Sequence, residues 1–191
     1  SQPGSRWLLL VVELCGLTFR GADLSKSNII ATALFGDGAA AGIVETSDAG
    51  HRISASGEYC WPNSLDVMGW RIEDDGLGVQ FSRDIPQLVR TELRGAADRF
   101  LSGAGIPFNA IDHFVFHPGG AKVLTALEEA FEIAAPGLTV GRSILRDFGN
   151  MSAATVLFVL KRILEQPISG RSLLGALGPG FTAGFAVMEH D

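Results

Sequence analysis

The sequence predicts an α/β fold in which helices cover a sheet. Trp7–Leu14 is an almost continuous apolar run, interrupted only by Glu13, which is typical of a strand covered on both faces. Between Ile85 and Leu101, apolar residues recur at steps of three and four, as on the buried side of a helix. Because strand-like and helix-like patterns alternate along the chain, a layered α/β arrangement is indicated.

Turn residues and alternating patterns divide the rest of the chain into shorter elements. The predicted elements are, in order, a strand at 39–45 after a tight glycine turn at 36–38, strands at 51–58 and within 69–82, a strand at 114–116, helices at 120–135 and 150–164, and two final strands within 173–188. Residues 1–6 are polar and contain Gly and Pro, so they are predicted to be a linker.

The composition excludes several classes of function. With 191 residues, of which 47% are apolar and 19% charged, the chain can bury a substantial core. Its net charge of −6 argues against nucleic acid or an anionic membrane as a partner, since basic patches usually bind both. No apolar run approaches the ~20 residues that span a bilayer, and no secretory signal is present. We therefore expect a cytoplasmic protein.

The cysteines and the closely spaced histidines do not predict a metal site. Cys15 and Cys60 lie far apart, so neither a disulfide framework nor a zinc site of ordinary spacing is expected. His113 and His117 would suggest zinc on a helix, but on a strand they stand ~13 Å apart. Cys15 has no basic neighbour to lower its thiol pKa on its apolar strand, so we predict an inert buried thiol.

A histidine at the end of a predicted buried strand is the first candidate for chemistry. The strand runs into His117, and Pro118, Gly119 and Gly120 then open a helix. Imidazole nitrogens need partners once water is removed, and α/β sheets commonly bind ligands at the carboxyl ends of their strands. The alternative is a structural histidine whose hydrogen bonds are satisfied in the core.

The second candidate is Asn150, which follows Gly149 and opens an apolar helix. Its amide can simply cap that helix. Alternatively, the Asn150 amide and the N–H of a neutral His117 converge on one oxygen and form an oxyanion hole for a thioester enolate or a tetrahedral intermediate. Such a hole needs a nucleophile beside it, and these residues alone do not identify one.

Five segments resemble, in their order, the type III polyketide synthases, which are the chalcone/stilbene synthase family. The Pro after the histidine and the Asn-Met-Ser favour this family over the related ketoacyl synthases. The segments are Val-Glu-Leu-Cys-x-Leu-Thr-Phe at 12–19, Ala-Leu-Phe-Gly-Asp-Gly-Ala-Ala-Ala at 33–41, His-Pro-Gly-Gly at 117–120, Gly-Asn-Met-Ser-x-Ala-Thr-Val-Leu-Phe at 149–158 and Gly-Pro-Gly-Phe at 178–181.

The resemblance implies a thiolase-like fold, in which two similar βαβαβαββ halves build α-β-α layers. Residues 47–191 resemble the C-terminal half, and residues 7–46 resemble the last strands of the N-terminal half. The implied activity is that of an acyltransferase that condenses an acyl-CoA starter with malonyl-CoA by decarboxylative Claisen condensation. The product would cyclise to an alkylpyrone or a phenolic ring. CoA thioesters would be substrates, and no cofactor is implied.

The resemblance also implies roles for individual residues. His117 and Asn150 match the catalytic His and Asn, which bind the malonyl thioester carbonyl. Val79 stands where the family has a second gatekeeper Phe, so we expect a wider gate and a long acyl starter. The implied substrate-binding positions are the gatekeeper Phe35, Cys15, Gly69, Val79, Gly119, Gly120, Lys122 near the CoA, and Ser152.

The family's nucleophilic cysteine matches no position in this chain. The resemblance therefore implies an N-terminal half that carries this cysteine, and a homodimer. We expect this chain alone to be inactive. Two alternatives stay open at this point: a ketoacyl synthase III-like enzyme with linear products, and a non-catalytic half that completes a dimeric or heteromeric assembly.

Overall fold

The computed structural model describes residues 4–46, 50–134 and 136–191. A π-helical segment at 89–93 joins α2 to α3, and none of the described helices is long and apolar enough to cross a membrane. The elements are β1 (Arg6–Glu13), α1 (Lys26–Leu34), β2 (Gly38–Glu45), β3 (Arg52–Cys60), β4 (Met68–Glu73), β5 (Gly76–Phe81), α2 (Ile85–Leu88), α3 (Arg94–Gly103), β6 (His113–Phe116), α4 (Ala121–Ala130), α5 (Thr139–Phe148), α6 (Ala153–Leu164), β7 (Gly170–Gly178) and β8 (Thr182–His190).

Four strands form the main sheet in the order β3–β8–β7–β6. Strand β8 is antiparallel to β3 and β7, whereas β6 is parallel to β7, so the sheet is mixed. The helical stretch from α2 to α3 and helix α4 cover one face, where Val89 and Leu124 belong to the main core. On the other face, Val159 of α6 packs with Val115 of β6. The predicted α/β fold is confirmed, with helices on both sides of the sheet.

The chain between α4 and α6 differs from the sequence prediction. The helix predicted at 120–135 ends at Ala130, because Glu132 adopts a φ of 53° that a helix cannot continue. Helix α5, which was not predicted, is held against α4 by the ion pair of Arg142 with Glu128. The βαβαβαββ pattern expects a third strand here, but the described residues form only α5 and one isolated bridge that involves Asn150.

Strands β1 and β2 form a separate antiparallel pair. Arg6 begins β1 rather than ending the predicted linker, because it pairs with Glu45 in the ladder and through a 2.7 Å ion pair. Residues 1–3 of the predicted linker lie outside the described residues. Leu8, Leu9 and Leu10 are 68%, 46% and 62% exposed. Because successive residues of a strand point to opposite faces, neither face of β1 is fully covered within this chain, contrary to the prediction.

Strands β4 and β5 form a second separate hairpin, which has two chemically different faces. One face is polar or glycine-rich and carries Gly69, Arg71, Glu73, Gly76, Gly78 and Gln80. The other face is apolar and carries three cross-strand pairs, Met68 with Phe81, Trp70 with Val79 and Ile72 with Leu77.

Three of the four histidines meet at one end of the main sheet. His190 is buried; its Nε2 lies 2.6 Å from Ser172 Oγ, and its Nδ1 lies 2.9 Å from Nδ1 of His51. The ring of His113 lies 6.4 Å away. Burial lowers the pKa of His190, and the neighbouring His51 and His113 lower it further. The lowered pKa favours a neutral His190 ring, and one of the two Nδ1 atoms donates the hydrogen bond between His190 and His51.

We expect the His190 cluster to make the protein less stable in acid. In the unfolded chain His190 takes up a proton near pH 6.5, whereas in the folded state it does so only at a lower pH. Its contribution is therefore fully present above pH 6.5 and is lost as the pH falls below that value. The urea midpoint should fall between pH 7.5 and 5.0, and fall less in His190→Gln. An equal fall in both proteins would contradict this assignment.

Candidate active site

His117 follows directly on β6, at the point where the strand leaves the sheet. Its backbone N–H donates to the carbonyl of Gly175 at 2.8 Å, which extends the pairing of β6 with β7 by one residue. Val115 and Phe116 before it are buried, and so is Pro118 after it. Because the chain on both sides is fixed in the core, the imidazole has a defined position at the carboxyl end of β6.

The His117 imidazole is half-buried and neutral at physiological pH. Burial lowers its pKa from 6.5 to about 4. A neutral imidazole donates one N–H and accepts one hydrogen bond. The backbone of Gly119 turns back beside the ring, since a Cβ at this position would lie 3.8 Å from His117 Nε2. The ring therefore lies against the glycine turn, ready to act as an uncharged donor.

Asn150 is buried, and its backbone is held by a parallel bridge to the segment around Phe35. Its N–H donates to the carbonyl of Leu34 at 2.8 Å, and its carbonyl accepts from the N–H of Gly36 at 3.0 Å. The bridge places Asn150 before the helix that it was predicted to open. Helix α6 instead begins at Ala153.

The side-chain amide of Asn150 has an assigned orientation. Its Oδ1 accepts from the backbone N–H of Ser152 at 2.9 Å, and its Nδ2 donates to the carbonyl of Gly119 at 3.3 Å. Since a backbone N–H can only donate and a carbonyl can only accept, these two partners distinguish the oxygen from the nitrogen. The second hydrogen on Nδ2 is not used by these contacts and can bind a ligand.

Gly119 joins the two candidate catalytic residues. Its backbone lies beside the His117 ring, and its carbonyl binds the Asn150 amide. The structure therefore brings His117 and Asn150 to one turn. Two uncharged donors beside each other can stabilise a negative charge that develops on an oxygen.

Glycines let the chain around Asn150 lock into the turn that precedes β2. A Cβ at Gly36 would lie 2.5 Å from the carbonyl oxygen of Phe148, and one at Gly38 would lie 2.5 Å from the sulfur of Met151. Two sequence motifs that are far apart in the chain thus form one interlocked unit, which we call the glycine interlock. It comprises residues 34–38 and 148–151.

Glu13 is a site residue that sequence reasoning missed. Its carboxylate accepts a hydrogen bond from the N–H of Ala153 at 3.3 Å, at the start of α6. A carboxylate is favourable at a helix N-terminus, which here includes Ser152 in a strained conformation with φ of 50°. The available signal was that Glu13 is the one charge in the apolar run of β1. It links β1 to the segment that holds Asn150.

The predicted substrate-binding residues Phe35, Val79 and Gly69 lie in different surroundings. The ring of Phe35, which ends α1, packs edge-on against Phe81 with 5.7 Å between centroids. Val79 lies on the same face of the hairpin as Phe81, and both contribute to a cavity of about 410 Å³ whose other lining residues are mostly polar or charged, including Arg20 and Glu73. Gly69 lies on the opposite face, because strand residues alternate, and Trp70 occupies the position across from Val79. Gly69 and Val79 are therefore not brought together.

Cys15 begins a 3-10 turn beyond β1 rather than lying on the strand as predicted. The turn forms because Asp37 Oδ1 accepts from the N–H of Gly16 at 2.7 Å, and the carbonyl of Cys15 accepts from the Thr18 hydroxyl. Burial raises the pKa of the Cys15 thiol, and the carboxylates of Glu13 and Asp37 raise it further. The thiol is therefore protonated at neutral pH and a poor nucleophile, in agreement with the predicted inert role.

The remaining predicted binding residues lie at the start of α4. Gly120 directly precedes the helix, and Lys122 is exposed in its first turn. Within the described ranges, no three His, Cys, Asp or Glu side chains are grouped so that they could hold a metal ion.

Solved structures of polyketide synthases share this fold. The chain matches 1,3,6,8-tetrahydroxynaphthalene synthase from Streptomyces coelicolor A3(2), a bacterial type III polyketide synthase, with a TM-score of 0.91 and 25% identity. The match covers 99% of this chain and 55% of that one. PKS-I from Ectocarpus siliculosus shares the fold, with a TM-score of 0.86, 23% identity, and coverage of 99% and 54%. The fold is thiolase-like.

The family follows from the sequence itself. The family model "Chalcone and stilbene synthases, C-terminal domain" matches residues 52–189, and the chain belongs to this family. It is 40% identical over 195 residues to a chalcone synthase homologue of Bacillus subtilis (strain 168), covering 96% of this chain and 53% of that protein. It is 38% identical to 1,3,6,8-tetrahydroxynaphthalene synthase of Streptomyces peucetius subsp. caesius, with coverage of 98% and 52%. The chain spans about half the length of these relatives.

We expect Gly38→Ala to destabilise the protein through the glycine interlock. The added Cβ would lie 2.8 Å from the Met151 Cβ, which cannot move away without shifting the backbone. Overpacking of this kind costs about 1–3 kcal/mol of unfolding free energy, measurable by urea denaturation. Gly42→Ala on the same strand is the control, because nothing lies within 4 Å of a Cβ there. Equal effects of the two substitutions would contradict the interlock.

Proposed function

We propose that this chain is the C-terminal portion of a type III polyketide synthase that extends an acyl-CoA starter with malonyl-CoA. The observation that carries the proposal is the oriented Asn150 amide beside a neutral His117. Relatives named for aromatic polyketide products, 1,3,6,8-tetrahydroxynaphthalene and 3,5-dihydroxyphenylacetyl-CoA, support it. We propose that CoA thioesters are the substrates and that the enzyme is a cytoplasmic homodimer without a cofactor.

His117 and Asn150 act in the decarboxylation step. Both donate hydrogen bonds to the thioester oxygen of malonyl-CoA. The bond to the carboxylate carbon breaks, carbon dioxide leaves, and the electron pair forms an enolate whose oxygen charge the two donors stabilise. The enolate carbon then attacks the starter thioester, which forms a carbon–carbon bond and releases the thiolate that carried the acyl group. The extended chain cyclises to an alkylpyrone or a phenolic ring.

The thiolate that carries the starter belongs, in this proposal, to a cysteine of an N-terminal half. Cys15 is unsuited, because its raised thiol pKa keeps it protonated. A thiolate beside His117 would raise the pKa of the imidazole, so the two would form a stabilised ion pair. The exposed leucines on both faces of β1, such as Leu8 and Leu9, support a partner surface at this place.

The gate supports a long acyl starter. Val79 stands on the apolar face of the hairpin whose Phe81 contacts Phe35, and it is smaller than the phenylalanine that the family has there. A smaller side chain leaves more room for an alkyl chain. Lys122, exposed one helical turn from the glycines, is proposed to bind the phosphates of CoA.

Removing the hydrogen-bond donor of either His117 or Asn150 should abolish most of the decarboxylation activity. In the complete synthase, we expect His117→Ala and Asn150→Ala each to lower the rate of malonyl-CoA decarboxylation by about 10²–10³, since each removes one donor to the enolate oxygen. His113→Ala is the control, because it lies on the same strand but ~13 Å away. Retained decarboxylation in both donor variants would refute the proposed site.

The same assay series tests where the nucleophile lies. Polyketide formation from acyl-CoA and malonyl-CoA, followed by mass spectrometry, should occur with the complete synthase and not with this chain alone. Product made by the isolated chain would show that the nucleophile had been misplaced. Linear products from the complete enzyme would instead favour a ketoacyl synthase.

Lys122→Ala should weaken CoA binding without slowing the chemistry. We expect the KM for malonyl-CoA to rise several-fold at an unchanged kcat, because a charge that binds ground state and transition state alike is lost. Lys161→Ala, an equally exposed lysine in the last turn of α6, is the matched control. An unchanged KM in the Lys122 variant would rule out this role.

A further inference from the structure

The β4–β5 hairpin shares no ladder with either of the other sheets, so its position depends on contacts at its two ends. At its base, the N–H of Gly180 donates to the carbonyl of Met68 at 3.3 Å, and Met68 and Phe81 pack against the main core. Near its tip, the polar contacts run through the carboxylates of Glu73 and Asp75. These two carboxylates bind a single residue from another part of the chain.

That residue is Arg20. Its Nη2 donates to Glu73 Oε2 at 3.0 Å and to Asp75 Oδ1 at 2.6 Å, and its Nη1 donates to Asp23 Oδ2 at 3.2 Å. The Arg20 side chain is only 12% exposed, whereas the side chains of Glu73 and Asp75 are 35% and 52% exposed, so these ion pairs lie at the surface with the guanidinium on their inner side. The hydrogen bond from Arg20 is the main cause of the lowered pKa of Asp75.

Arg20 is itself fixed to the start of α1. The buried Asn28 side chain donates to the carbonyl of Arg20 at 2.8 Å and to that of Asp23 at 2.7 Å. Helix α1 thus holds the tip of the hairpin through Arg20 at its N-terminal end. At its other end, Phe35 contacts Phe81 at the hairpin base.

The hairpin is shaped to receive the guanidinium on its polar face. A Cβ at Gly78 would lie 2.6 Å from Glu73 Oε1 and 3.2 Å from Arg20 Nη1, so a side chain there would have to displace the ends of these two side chains. Val79 and Trp70 lie on the opposite, apolar face. Arg20 therefore binds the polar side of the hairpin, and it lines the same cavity as Val79 and Phe81.

We propose that Arg20 is a positioning residue that fixes the β4–β5 hairpin against α1 and thereby sets which starter acyl lengths the enzyme accepts. This inference rests on the proposed function. A change in the tilt of the hairpin moves its apolar face relative to Phe35. His117 and Asn150 belong to other elements, so the decarboxylation chemistry does not depend on this contact.

The test uses Arg20→Gln in the complete synthase. We expect the ratio of kcat/KM for hexadecanoyl-CoA to that for hexanoyl-CoA to change by about tenfold. Malonyl-CoA decarboxylation should remain within about twofold of wild type, and amide exchange in residues 68–81 should become faster. The Arg20→Lys variant should give a starter ratio and an exchange rate between those of wild type and of Arg20→Gln. Lysine keeps the charge but lacks the forked guanidinium that binds two carboxylates.

Two further variants keep the test decisive. Asp75→Asn removes one half-exposed partner and should shift the ratio in the same direction even if Arg20→Gln folds poorly. Arg90→Gln breaks the ion pair with Glu129 in another part of the fold and should shift nothing.

Each outcome bears on a different claim. An unchanged starter ratio, or unchanged exchange in 68–81, overturns the positioning role. A parallel loss of decarboxylation and of both starter activities overturns it too, because it marks Arg20 as merely structural. If wild type extends no starter at all, the proposed function fails and the specificity role fails with it, while the exchange measurement still decides whether Arg20 holds the hairpin.

Discussion

The candidate active site depends on the bridge between Phe35 and Asn150. Two backbone hydrogen bonds form this bridge, and the glycines around it are needed because a side chain at Gly36 or Gly149 would collide with a facing carbonyl. The bridge ties the β1–α1–β2 unit to the start of α6. It also sets the direction of the Asn150 amide, since Ser152, which fixes the amide oxygen, belongs to the same tight segment.

Two independent sets of contacts position the His117 and Asn150 donors, and Gly119 connects them. His117 is placed by the pairing of β6 with β7, whereas Asn150 is placed by the bridge. Gly119 contacts both donors, because its carbonyl accepts a hydrogen bond from the Asn150 amide and its backbone lies beside the His117 ring. The lowered pKa of His117 complements this geometry, since a neutral ring needs no counter-ion in a partly buried position.

The sequence revealed the site residues that depart from the pattern expected of a buried strand or helix. A histidine that ends an apolar strand, and the motifs around Gly36 and Asn150, stand out because hydrophobic burial alone does not explain them. Helix α5 was missed although its sequence is amphipathic, with Val140, Ile144 and Leu145 at helical spacing, so the signal was present and was overlooked.

The sequence also did not predict on which face of a strand a residue lies, or how exposed a strand is. Gly69 and Val79 were both predicted to bind substrate, but they lie on opposite faces of the hairpin, and the sequence did not show on which face each one lies. The role of Glu13 requires knowing that β1 ends beside α6, which only the fold provides. The apolar run of β1 correctly indicated a strand but not its exposure, because burial depends on what lies beside it.

These contacts distinguish two parts of the structure, the core segments that carry His117 and Asn150 and the separately attached β4–β5 hairpin. The proposed donors, His117 and Asn150, lie on segments bounded by fully buried residues such as Pro118 and Met151, so their geometry is set by core packing. The apolar face with Val79 lies on a hairpin outside the main sheet, which is attached by the Arg20 ion pairs and by the packing of Met68 and Phe81 against the core rather than by a ladder. Substitutions in the hairpin can therefore change the space beside Phe35 while leaving the oxyanion donors in place. Because the pKa of Asp75 is lowered, the carboxylate stays ionised and keeps this attachment in mild acid.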